Sequence, residues 1–126
     1  MIGGVVFSVQ QELFFLPATI AGKVLPMPSV ARVPGAPPDL VGVALVEGEV
    51  IPVVAVGPTT EPRGRDHRPM LVCTFLGERV AFVGIEVVAT GSFTPTDDGV
   101  DHEGARARSF DVGAVVARLG EGRWAV

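Results

Sequence analysis

Glycine and proline together fill 27 of the 126 positions, sixteen and eleven respectively, and that density sets the first limit on the fold. Proline lacks a backbone donor and fixes φ, while glycine is entropically costly inside a helix. Long helices are disfavoured, and short strands joined by tight turns are favoured. The valine-rich apolar runs point the same way, because a branched Cβ suits the pleated, half-buried surface of a strand. Apolar residues make up 48% of the chain and charged residues 19%, which excludes intrinsic disorder. A chain of 126 residues forms one domain, with enough apolar surface for a core that needs no disulfides.

Strand patterns can be placed along the chain. Residues 5–9 and 13–16 flank the polar Gln10-Gln11-Glu12 as a hairpin. Residues 17–22 suit one helical turn. Pro26, Pro28, Pro34, Pro37 and Pro38 then restrict the backbone to extended edges and corners. Residues 41–46 and 50–56 form a second hairpin around Glu47-Gly48-Glu49, and Gly42 suits a close backbone approach. Residues 57–69 lose all apolar periodicity and read as a surface loop. A third hairpin pairs 70–76 with a long arm over 79–90, and 94–104 reads as a second polar loop. Residues 111–120 suit a short helix, with Asp111 at its start and Gly120 past its end. The whole is all-β, in two units of similar size.

Few residues have the makings of chemistry. Fourteen acidic against ten basic side chains give a net charge of −4, unsuited to collecting phosphates, so neither nucleic acid nor an anionic membrane is expected as a partner. Cys73, the single cysteine, sits in an apolar run and reads as an inert core thiol. No apolar run approaches the length of about eighteen residues for a membrane span, and no basic leader opens the chain, so a cytoplasmic location is expected. His67 and His102 lie in polar stretches as solvated side chains. Motifs for zinc proteases, serine hydrolases and phosphate loops are absent from the sequence, and the acidic stretch 97–104 lacks the ligand spacing of a calcium loop. The expected role is therefore non-enzymatic, without a cofactor or a metal, and exercised through surfaces.

One segment is more specific. Residues 24–54 carry a proline-rich approach, the corner Pro34-Gly35-Ala36-Pro37, the step Gly42-Val43, and then Val46-Glu47-Gly48-Glu49-Val50-Ile51-Pro52-Val53. This order and spacing resembles the CheW adaptor family. Looser agreement follows at Gly77-Glu78-Arg79-Val80, Glu86-Val87 and Phe110-Asp111-Val112. The resemblance implies one CheW-like domain over 1–126, built as two small five-stranded SH3-like barrels with short helical turns and a hydrophobic groove between them. The first barrel is expected over about 1–58 and the second over about 70–126, joined by a linker at 59–69. It also implies an adaptor that bridges the cytoplasmic tip of a chemoreceptor to the regulatory domain of a CheA-type histidine kinase, recruited to receptor clusters. Contacts through apolar edges would fall on Ile20, Ala21, Val24, Val43, Leu45 and Val46, with Val87 and Val88 facing the receptor. Strand alternation turns about half of such residues inward.

The chain departs from the family pattern at two charges. Glu47 stands where the family has arginine, and Lys23, the sole lysine, stands where it has glutamate. Both signs are reversed, so an ion pair of inverted polarity is expected between them, at a surface where it would discriminate among partners. Ala55 replaces a family aspartate, and the chain is short for the family. These departures keep open an alternative, in which a divergent member binds the receptor or another partner but not the kinase.

Overall fold

A computed structural model describes residues 1–34, 40–57 and 69–121, with helix side chains as far as Ala117. The strands are β1 (Ile2–Val9), β2 (Glu12–Pro17), β3 (Ala21–Pro26), β4 (Leu40–Val46) and β5 (Glu49–Ala55), then β6 (Pro69–Phe75), β7 (Glu78–Val83), β8 (Glu86–Pro95), β9 (Gly99–His102) and β10 (Ala105–Ser109). One helix, α1 (Val112–Glu121), follows. Five strands form a closed barrel in the order β1-β2-β10-β9-β8, and the other five form a sheet in the order β3-β6-β7-β5-β4. The second sheet is thus inserted between β2 and β8 of the barrel. This replaces the expected consecutive division into 1–58 and 70–126: periodicity reports which face of a strand is buried, not which strand lies beside it. The expected linker lies outside the described residues except for Pro69, which opens β6.

Four hairpins turn through two residues at positive φ: Gln10-Gln11 (51° and 70°), Glu47-Gly48 (51° and 81°), Leu76-Gly77 (51° and 80°) and Glu103-Gly104 (49° and 84°). These are the φ signs of type I′ turns, whose twist matches that of paired strands. The long arm expected over 79–90 is broken at Gly84, where φ is 80° and an added Cβ would lie 2.7 Å from the Gly57 carbonyl oxygen. There the chain leaves one sheet for the other. The expected polar loop 94–104 is instead largely paired, as the end of β8 and β9. It escaped the sequence pattern because β9 and β10 each bury a single side chain, Val100 and Ala107. Of the helical turn expected over 17–22, only residues 18–20 form a turn, since Pro17 ends β2 and Ala21 and Gly22 open β3.

Alternation sorts the apolar side chains into three layers. Val6, Phe15, Phe93, Val100 and Ala107 fill the closed barrel. Ala44, Val46, Ile51, Val53, Met70, Val72, Ala81 and Val83 fill the inner side of the second sheet. Between the two units lies a middle core around Phe7, Leu16, Leu71, Cys73 and Phe82. β6 and β7 are buried on both faces, which explains their unbroken apolar runs. Phe110 joins the units, with ring centroids 5.4 Å from Phe7, 5.6 Å from Phe14 and 5.5 Å from Phe82. Helix α1 adds Val112 and Val115 to this layer, and the Asp111 carboxylate caps it by accepting from the Ala114 amide at 3.0 Å. The middle of the junction between the units is therefore packed. Cys73 is fully buried, and desolvation pushes its thiol up to about 12, so it is inert as expected.

Candidate functional site

The charges at positions 23 and 47 meet. β3 carries a bulge between Ala21 and Lys23, after which Lys23 lies opposite Val72 of β6. The ammonium Nζ of Lys23 donates to Oε1 of Glu47 at the β4–β5 turn. β3 and β4 are the outer strands of the second sheet, so this ion pair joins its two ends. Beside it, one guanidinium nitrogen of Arg79 stands 3.7 Å from Glu47 Oε2 and the other 3.6 Å from Glu49 Oε2. The four charges form a chain of alternating sign, Lys23–Glu47–Arg79–Glu49. Hydrogen bonding and charge from Lys23, with a smaller contribution from Arg79, hold the Glu47 carboxyl below its ordinary value.

Register shows what the charges cover. Lys23 shares a row with Val72, which pairs with Ala81, which in turn pairs with Val53. These three apolar residues belong to the second core. Arg79 lies opposite Thr74 and two residues before Ala81, and Glu49 lies opposite Val46 of the same core. The charged side chains therefore extend rows that point into the second core, and rim its end. Their aliphatic stems can shield apolar atoms there while the charged heads stay wet.

The other face of the β4–β5 hairpin is apolar and exposed. Leu45 and Val50 are register partners, 67% and 65% exposed, and Val43 with Pro52 forms the next such pair, half-buried. Val24 on β3 is 40% exposed. An isolated bridge from Ala31 to Val43 covers part of the edge of β4. That approach requires Gly42, where an added Cβ would meet the Ala31 carbonyl oxygen at 2.2 Å.

Of the ten contact residues expected from the sequence, Lys23, Leu45 and Glu47 are exposed on or beside this hairpin, Val43 is half-buried there, and Val24 is exposed on β3, the other edge strand of the sheet. Ala21 and Val46 are core residues and cannot form an exposed contact. Ile20 packs partly against the middle core. Val87 and Val88 lie on the closed barrel, at a bulge opposite Phe7; Val87 packs inward and Val88 is 43% exposed. Arg79, Glu49 and Val50 were missed. Alternation from Val80 would have placed Arg79 on the side of Ala81, but nothing local says that two carboxylates face it.

His102 lies on β9 and not in a loop, with its ring edge-on to Phe93 at 6.0 Å. His67 lies outside the described residues. Among the described residues, no cluster of three or more His, Cys, Asp or Glu could hold a metal ion, and no helix is long and apolar enough to cross a membrane. This surface presents an exposed apolar pair beside charges already matched to one another.

A family model described as "CheW-like domain" matches residues 3–125. No curated sequence matches the chain. Among solved structures, the scaffolding protein TtCheW from Thermoanaerobacter tengcongensis is similar in fold, with a TM-score of 0.66 and 19% identity over 89% of this chain and 90% of that one.

Proposed function

Since the chain belongs to the CheW-like domain family, we propose that it is a cytoplasmic, non-enzymatic adaptor of a chemosensory pathway, linking the cytoplasmic tip of a chemoreceptor to the regulatory domain of a CheA-type kinase. The family is one of non-catalytic chemotaxis scaffolds, and its members bind receptors and CheA in general. The observation that carries the reading here is the exposed Leu45–Val50 pair beside the Lys23–Glu47 ion pair, in the segment where the family resemblance is most specific. An exposed ion pair contributes little to stability, so its charges are free to act in selecting partners. Val43 extends the apolar contact, and Val24 on β3 and Val88 on the closed barrel offer separate exposed positions.

A second reading rests on the reversed polarity at positions 23 and 47. A kinase surface built for the ordinary signs would meet like charges here, so this member would bind a receptor or another partner but not the kinase. Calorimetric titration with the kinase regulatory domain and the receptor tip of its own organism separates the two. Binding to both, weakened by Glu47→Lys, supports the adaptor; binding to the receptor alone supports the second reading. Binding to neither overturns both.

A further inference from the structure

The β4–β5 turn that presents Leu45 and Val50 has little packing of its own. An added Cβ at Gly48 would meet nothing within 4 Å, and the flanking Leu45 and Val50 side chains are mostly exposed. The turn also carries two carboxylates, Glu47 and Glu49, separated by a single glycine. Arg79 faces both, at 3.7 Å and 3.6 Å, from the neighbouring strand β7. Its side chain is 30% exposed against 45% for Glu47 and 56% for Glu49, so it is the better sheltered partner in both pairs. Lys23 answers Glu47 from β3 but makes no contact with Glu49 within ion-pair distance.

We propose that Arg79 is the positioning residue of this surface: by facing Glu47 and Glu49 at once it holds the β4–β5 turn against β7, and so fixes the Leu45–Val50 pair in one orientation for docking. This rests on the adaptor reading for its docking half alone. The guanidinium is suited to the task because its planar fork presents separate donors to separate carboxylates, as the two nitrogen contacts here do. It acts through the turn and need not touch the partner.

The test uses the full chain with Arg79→Gln and Arg79→Lys. Hydrogen exchange is followed at the amides of Val46 and Glu49, the register partners that flank the turn. In Arg79→Gln their exchange should quicken by roughly threefold to tenfold, the range expected for losing one or two exposed ion pairs. Amides of β6 should keep their rates, and the urea midpoint should stay close to that of the parent. Dissociation from whichever partner binds the parent should quicken by a similar factor, with association little changed, because a loosened surface is lost from the bound state. Arg79→Lys should restore part of both effects. Unchanged exchange at the turn, or a rise spread evenly over the sheet, overturns the proposal. Unchanged dissociation from a partner that binds the parent overturns its docking half. If the parent binds neither partner, it is the adaptor reading that fails, and the exchange result still decides whether Arg79 positions the turn.

Discussion

Replacing Phe110 by alanine would remove the ring that joins the two units. That ring meets Phe7 and Phe14 of the barrel and Phe82 of the inserted sheet, all within 5.6 Å between centroids. Its backbone amide also donates to the Phe15 carbonyl at 3.0 Å, a bond that alanine would keep. Truncating a fully buried phenylalanine costs about 3–5 kcal/mol. Phe110 is half-buried, so a loss of about 2–3 kcal/mol is expected, in line with three ring contacts of roughly 0.5–1.5 kcal/mol each beyond area. With a urea slope of about 1.5 kcal/mol/M, the midpoint should fall by roughly 1.3–2 M. Phe110→Leu should recover about half, since it refills part of the volume. The assay is urea denaturation followed by far-ultraviolet circular dichroism and, in parallel, by hydrogen exchange of β6 and β8 amides. The parent should unfold in one transition, because the chain crosses between the units twice and they share the middle core. A loss below about 1 kcal/mol for Phe110→Ala would show that the middle core does not depend on this ring. Two resolved transitions in the parent would refute the shared core itself.

Gly42→Ala should destabilise the fold by about 1–3 kcal/mol, measured by urea denaturation, because the new methyl must push back the Ala31 carbonyl oxygen, a backbone atom. The Gln10-Gln11 turn holds two non-glycine residues at positive φ, so Gln11→Gly should raise the thermal midpoint, by relief of about 0.5–1 kcal/mol of strain after the added entropy of the unfolded glycine. The Glu47 carboxyl is lowered in the folded state, so its ionic contribution is complete above its ordinary value of 4.5 and is lost as pH falls through the lower folded value. Carbon-detected titration should therefore give Glu47 a midpoint below 4.5, and Lys23→Gln should move it upward; an unmoved midpoint would contradict the pairing.

Much of this was legible because local physics decides it. Gly48 and Gly77 stand where type I′ turns need positive φ, and Asp111 caps the helix that it opens. The Lys23–Glu47 pair was legible only through a double reversal against a family pattern. Arg79 was not, because its two carboxylates come to it through parallel pairing of β5 with β7, a contact that no hairpin pattern encodes. The split of the barrel between the first two and the last three strands was hidden for the same reason. β9 and β10 were hidden differently: a strand that buries one small side chain has the composition of a loop.

The insertion of one sheet within the other also sets an order of events during synthesis. Residues 21–83 supply every strand of the inserted sheet, so it can pair completely as soon as β7 has left the ribosome. The barrel cannot close then, since β1 and β2 must wait for β8, β9 and β10. Until then the first hairpin made is a lone two-stranded ribbon, marginal in water by itself. Its apolar face, with Val5, Phe7 and Leu16, has only the finished sheet to lie against. The hairpin that precedes the inserted sheet in sequence is thus the part whose pairing is completed after it, with the inserted sheet as its surface in the interval.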